Sequence, residues 1–202
     1  MEKKFVIATN NAHKVIEFKK ILAPLGIECV SLKEMGILCD AEETGTTFAE
    51  NAYIKAKAVY DICKLPTVAD DSGICVDALG GEPGIYSARY GGEGYDDPGR
   101  MYLLLRNMEG KENRAAHFTS SISCVLDEET VVTAEGYIYG QLTHEPRGTN
   151  GFGYDPIFLP DGYSMTTAEM EGEEKNAISH RGNALRELAE KLKEYYHADA
   201  DQ

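Results

Sequence analysis

Two adjacent carboxylates, Asp70 and Asp71, follow the apolar run Thr67-Val68-Ala69 and precede Ser72-Gly73. Successive side chains of a strand point to opposite faces, so one of the pair can enter a site that the other cannot reach. A carboxylate at a strand end suits Mg²⁺, which takes one or two carboxylates and fills its shell with water and phosphate oxygens. Beside such an ion a carboxylate can also orient or deprotonate an attacking water. Asp-Asp-Ser-Gly is equally good turn chemistry. Asp70 is either an orienting partner of Asp71 or a structural residue facing away.

Four other segments carry chemistry-bearing side chains. Thr9-Asn10-Asn11-Ala12-His13-Lys14 lies between a strand-like run and a helix start. Unpaired backbone N–H groups and the helix dipole there favour an anion, and Lys14 adds a cation. The same residues would serve as an ordinary helix cap, and the glycines of a Walker A loop are missing. Ala41-Glu42-Glu43-Thr44-Gly45 is either a solvated approach to the next helix or an acidic metal-side segment. In Gly151-Phe152-Gly153-Tyr154-Asp155-Pro156 the glycines permit close backbone approach. Phe152 or Tyr154 can stack on a flat base, or both can fill the core. Lys175 and Ser179-His180-Arg181-Gly182 offer donors for phosphate or base carbonyls, or a serine cap with surface cations. No serine sits in a G-x-S-x-G elbow, which argues against a serine-histidine hydrolase.

The elements that must position these residues read as follows. Phe5 to Ala8 is a short buried strand, and Val15, Phe18, Ile21, Leu22 and Leu25 define a helix stopped by Gly26. Residues 27–32 return as a strand, giving a β-α-β opening typical of α/β proteins. Thr47-Phe48-Ala49-Glu50 predicts a capping box ahead of a helix bearing Phe48, Ala52, Val59 and Ile62. A strand begins at Thr67, and residues 79–99 form a long irregular loop of the kind often used for function. Asp97-Pro98 predicts an N-cap with proline at the first helical position. Residues 115–126 and 131–142 alternate as a hairpin about Asp127–Thr130. Thr166 and Glu169 predict a helix start, and a last helix runs from about Ser179 to Tyr196 with a frayed tail from Ala198.

Composition narrows the function further. Hydrophobic residues make up 43% and charged residues 27% of the 202 positions, the balance of a globular chain able to bury a core. The net charge of −14 argues against nonspecific nucleic-acid or anionic-membrane binding. A small anionic ligand would need a local cluster of donors, and a metal. Five cysteines, an odd number with no C-x-x-C spacing, predict free thiols in a cytoplasmic protein. The N-terminal residues lack the apolar stretch of a secretory signal. No repeat or linker interrupts residues 1–202, which read as a single α/β domain with a mixed sheet.

Together the segments resemble the inosine/xanthosine triphosphate pyrophosphatase family. The resemblance runs from Phe5 to about Leu192 and rests on TNNAHK at 9–14, AEETGTTFAENAYIKA at 41–56, ADDSG at 69–73, LGGEPGIYSARY at 79–90, TNGFGYDPIF at 149–158 and EEKNAISHRG at 173–182. It implies an elongated mixed β-sheet flanked by helices, in two lobes with a central substrate cleft, and a homodimer. It implies hydrolysis of non-canonical purine nucleoside triphosphates such as ITP, dITP and XTP to the monophosphate and pyrophosphate. On this resemblance Thr9, Asn10, Asn11, Ala12, His13 and Lys14 would bind phosphates. Asp71 would be the proton acceptor and, with Glu42, a Mg²⁺ ligand. Ser72, Phe152, Gly153, Tyr154, Asp155, Lys175, His180 and Arg181 would contact the nucleotide, with His180 or Arg181 favouring a 6-oxo purine. Two alternatives are a Maf-type pyrophosphatase acting on pyrimidine or modified nucleotides and a nucleotide-binding regulator without catalysis.

Overall fold

The computed structural model describes residues 4–200, with side chains through residue 198. The elements are β1 (Lys4–Ile7), α1 (Ala12–Leu22), β2 (Glu28–Ser31), α2 (Leu32–Met35), α3 (Phe48–Cys63), β3 (Thr67–Val76), α4 (Asp97–Asn107), β4 (Ala115–Val125), β5 (Val131–Leu142), β6 (Phe158–Pro160), α5 (Gly172–Ile178) and α6 (His180–Ala200). The strands form one six-stranded sheet in the order β2-β1-β3-β4-β5-β6. β1 pairs in parallel with β2 and β3, while β5 and β6 are antiparallel, so the sheet is mixed as expected. Among the described residues no helix is long and apolar enough to cross a membrane.

The chain divides into two compact units, Met1–Asp71 with Ser120–Gly136 and Arg181–Gln202, and Ser72–Thr119 with Tyr137–His180. In the first, the apolar stripe of α1, notably Phe18, Ile21 and Leu22, packs with Phe5, Ile7, Ile122 and Cys124 of the strands and Leu185, Leu188 and Leu192 of α6. A second cluster in this unit joins Val6, Ala69 and Val125 to Ala56, Val59 and Tyr60 of α3. Burying each such large side chain contributes roughly 1.5–3 kcal/mol. The second unit has its own core of Ile74, Met101, Leu104, Met108, Phe118, Ile138, Tyr154, Ile157 and Phe158. All five cysteines are free thiols.

Several boundaries differ from expectation for local reasons. β3 does not end at Ala69 but runs through Asp70, Asp71 and Ser72 to Val76, so the paired carboxylates are strand residues and not a turn. Thr47 caps α3 by accepting from the Glu50 amide, 3.1 Å, but the Glu50 carboxylate turns to the Thr46 amide, 2.7 Å, and the box does not close on Thr47. Asp96, not Asp97, caps α4 through the Gly99 amide. The loop at 79–99 contains a 3-10 segment, Gly84–Arg89. Glu169 does accept from the Thr166 amide, 2.9 Å, but only a turn results, and the helix starts later, at Gly172. Ser179 leaves helical geometry, with φ −69° and ψ 156°, and separates α5 from α6. α6 continues to Ala200, past the expected fraying point at Ala198, and the rest of that tail, 201–202, lies outside the described residues.

Candidate functional site

In the first unit the turn after β1 delivers the N-terminus of α1. Asn11 is the N-cap, its Oδ1 accepting from the amides of His13 and Lys14 at 3.0 and 3.3 Å. Thr9 Oγ1 accepts from the Asn11 amide, 3.1 Å, and Asn10 Nδ2 donates to the Cys39 carbonyl, 3.0 Å. Asn10, Asn11, Ala12 and His13 are exposed, and Thr9 and Lys14 half-buried. Thr9, Asn10 and Asn11 therefore shape the turn that presents Lys14.

Lys14 leads into a buried charge network. Its Nζ lies 2.7 Å from Asp70 Oδ1, Arg181 Nη2 reaches the same oxygen at 3.4 Å, and Ser120 Oγ donates to Asp70 Oδ2 at 2.6 Å. Arg181, only 1% exposed, also pairs through Nη1 with Glu17 of α1. Burial alone would raise the Asp70 pKa, but the Arg181 and Lys14 charges overcome it and hold that carboxyl well below the usual range. Burial lowers the Lys14 pKa against the opposing pull of Asp70. Asp70 is the anchor of the cations.

Asp71, the next residue of β3, sits in a different environment. Its Oδ1 accepts from Lys55 Nζ of α3 at 3.2 Å, and the same ammonium lies 3.4 Å from Glu43 Oε1. Its Oδ2 is buried and has no hydrogen-bond partner among the described residues. Burial, aided by Glu43 and Asp70 and opposed by Lys55 and Lys14, pushes the Asp71 carboxyl up to about 6. Two adjacent aspartates thus have pKa values driven in opposite directions, a pattern characteristic of acid–base sites.

Glu43 falls in the acidic segment read at 41–45, whereas Lys55 has no role in the sequence reading. Glu42, the expected metal ligand, is exposed, whereas Glu43 is half-buried and turned toward Lys55. A signal for Lys55 was available. It lies on α3 between Ala52, Ala56 and Val59, all buried, and a lysine beside an apolar helix stripe calls for an anionic partner.

Among the described residues no three His, Cys, Asp or Glu side chains form a ready-made metal cage. Mg²⁺ rarely uses one, preferring one or two carboxylates plus phosphate oxygens and water. The buried, unpartnered Oδ2 of Asp71 and the acidic segment at Glu42 and Glu43 are the hard oxygen donors such an ion takes.

The second unit holds the remaining expected residues. Ser72 is half-buried in β3. Asp155 is buried and fully engaged. Its Oδ2 accepts from the Phe152 amide at 3.0 Å and pairs with Lys175 Nζ at 2.6 Å, and its Oδ1 accepts from Thr167 Oγ1 at 2.8 Å. Lys175 Nζ also lies 4.8 Å from the Phe152 ring centroid. Gly151 needs its φ of +71°, and a Cβ there would meet Asp155 Oδ2 at 2.1 Å. Gly153 also takes a positive φ, +60°, in open space. Tyr154 is core, its hydroxyl donating to the Ser87 carbonyl at 2.7 Å, so of the two aromatics Phe152 is the one placed at the turn's surface. His180 stacks on Phe118, 4.8 Å between centroids and 16° between planes.

The fold is thus a mixed α/β sheet that sets a helix N-terminus with a half-buried lysine against a desolvated carboxylate pair. The comparisons specify the family: the chain belongs to the Ham1 family, whose model matches residues 5–191. It is 47% identical over 195 residues to the dITP/XTP pyrophosphatase of Streptomyces avermitilis, covering 95% of this chain and 98% of that one. It is 46% identical over 192 residues to the dITP/XTP pyrophosphatase of Bacillus subtilis, covering 94% and 97%. Among solved structures, a HAM1 protein from Coxiella burnetii superposes with a TM-score of 0.85 at 40% identity, covering 95% of this chain and 99% of that one. The Ham1 protein of Staphylococcus aureus gives 0.84 at 39% identity, covering 96% and 100%.

Proposed function

We infer that this chain is a nucleoside-triphosphate pyrophosphatase that hydrolyses non-canonical purine nucleotides, ITP, dITP and XTP, to the monophosphate and pyrophosphate. The observation that carries this reading is the environment of Asp71, a buried carboxylate held at one oxygen by Lys55 with its other oxygen unpartnered. A pKa near 6 is close to optimal for a base working near neutrality. The relatives' dITP/XTP pyrophosphatase activity supports the same conclusion.

In this reading Asp71 takes the proton of a water that attacks the α-phosphorus. The bond from the α-phosphorus to the bridging oxygen breaks, and pyrophosphate leaves. Lys14 and Lys55 counter the negative charge, and most of the acceleration comes from positioning and charge stabilisation. Asp71 and Glu42, with Glu43 beside them, would hold Mg²⁺. When bound, that ion supplies charge neutralisation on the phosphates and a more acidic water. Ser72 contacts the substrate, and Phe152 stacks on the base. His180, whose ring Phe118 orients, selects a 6-oxo purine, because a 6-amino group leaves its donor unpaired. Arg181 is committed to Glu17 and Asp70 and holds the charge of Asp70 in place. The working form is a single-domain protomer in a cytoplasmic homodimer.

The test is pyrophosphate release from ITP, XTP, ATP, GTP, CTP and UTP with and without Mg²⁺, alongside light scattering for the dimer. Mg²⁺-dependent release from ITP and XTP in preference to the rest is expected. Preference for a pyrimidine would move the chain to the Maf-type activity, and binding without turnover would make it a regulator.

A further inference from the structure

Asn51 is fully buried on α3. Its Oδ1 accepts from the Gly45 amide at 2.8 Å. A Cβ on Gly45 would lie 2.6 Å from that oxygen and 2.7 Å from Glu50 Cβ, so the backbone of Gly45 is pressed directly onto the helix. Glu50 takes the next amide, that of Thr46, at 2.7 Å, and the Thr46 hydroxyl at 3.2 Å. Residues 41–45 belong to neither helix nor strand, and side chains of the first turn of α3 hold the end of this segment in place of a ladder.

The amide of Asn51 is only half satisfied, since Nδ2 is buried with no hydrogen-bond partner among the described residues. A buried donor left unpaired is costly, and an apolar side chain of the same size would avoid that cost. The position therefore holds an amide for what Oδ1 does. One turn along the same face is Lys55, which meets Glu43 and Asp71. One stripe of α3 thus grips the backbone after the acidic segment and supplies the cation beside the catalytic carboxylate.

We propose that Asn51 is a positioning residue for the metal-binding carboxylates, holding Gly45 so that the Glu42–Glu43 segment stays in register with Lys55 and Asp71. It rests on the reading of Asp71 and Glu42 as Mg²⁺ ligands. Three full-length variants test it: Asn51→Leu, which removes the acceptor; Asn51→Asp, which keeps one; and Gly45→Ala, which pushes the backbone off the helix. Mn²⁺ alone is titrated by calorimetry, and separately the Mg²⁺ activation midpoint for ITP turnover is measured. Asn51→Leu and Gly45→Ala are expected to weaken Mn²⁺ binding and raise the midpoint about tenfold, the scale of a lost buried hydrogen bond to a charged-site support. The KM for ITP at saturating Mg²⁺ stays unchanged, and Asn51→Asp stays within about threefold of wild type. Folded variants that bind Mn²⁺ and respond to Mg²⁺ as wild type does would overturn the proposal. If Asn51→Leu does not fold, Gly45→Ala alone decides. A wild type that hydrolyses no ITP with any Mg²⁺ concentration would instead sink the functional reading beneath it.

Discussion

Asp71→Asn should abolish turnover and at the same time make the protein more stable in metal-free buffer at neutral pH. The folded chain pushes the Asp71 carboxyl from 3.8 up to about 6, so ionising it in place is harder than in the unfolded chain. At about 1.36 kcal/mol per pKa unit the ionised side chain opposes folding by up to about 3 kcal/mol. Asparagine removes that opposition but weakens the contact to Lys55, which keeps Glu43. It also brings amide N–H groups that need partners. These effects return about 1–2 kcal/mol, leaving a net gain of about 1–2 kcal/mol and a rise in Tm of roughly 2–8 °C.

The pH dependence separates this cause from generic stabilisation. A carboxyl with a raised folded pKa has no effect below 3.8, where both states are protonated. Its cost grows as pH rises from 3.8 through about 6 and is complete above. The Asn variant should therefore have no advantage over wild type near pH 4 and exceed it at pH 7.5, both with EDTA, by urea denaturation. Added Mg²⁺ should raise the wild type more than the variant, because only the carboxylate gains a ligand. A variant no more stable than wild type at pH 7.5, or equally advantaged at both pH values, would refute the reasoning.

Lys14→Met should lower kcat/KM for ITP by roughly ten- to a hundredfold, the value of a charge-assisted contact to phosphate, measured by pyrophosphate release at saturating Mg²⁺. An unchanged kcat/KM would show that the ammonium serves only Asp70. Gly151→Ala places a Cβ 2.1 Å from Asp155 Oδ2 at a φ of +71° and should destabilise by about 1–3 kcal/mol, read from urea midpoints. It should also raise KM for ITP, since the shifted Asp155 no longer holds the Phe152 amide.

The fold was readable wherever the apolar period was clean. The stripe Val15, Phe18, Ile21 and Leu22 gave α1, and the alternation from Phe118 to Leu126 gave β4. Strand order was not readable, because β1 pairing with both β2 and β3 depends on contacts between distant segments. β3 was cut short because Asp-Asp-Ser-Gly carries turn preference locally. That preference loses once Ser120, Lys14 and Arg181 satisfy Asp70 and Lys55 holds one oxygen of Asp71 inside the sheet. The order of the site residues along the chain was legible; which of them touch one another was not.

The division of labour between neighbouring residues is what burial decided. Asp70 and Asp71 are chemically identical, yet one faces two cations and stays ionised, while the other faces one lysine shared with Glu43 and is left with an unpartnered oxygen. Glu42 and Glu43 differ in burial: Glu42 is exposed, and Glu43 is half-buried against Lys55. Tyr154 and Asp155, neighbours in one turn, are held differently: one is tied to the Ser87 carbonyl and the other to Lys175, Thr167 and the Phe152 amide. Three donors already sit on the Asp155 carboxylate, which leaves about one of its roughly four acceptor sites to share. In this turn the Asp155 carboxylate holds the Phe152 amide, while Asp71 keeps a buried oxygen with no partner among the described residues.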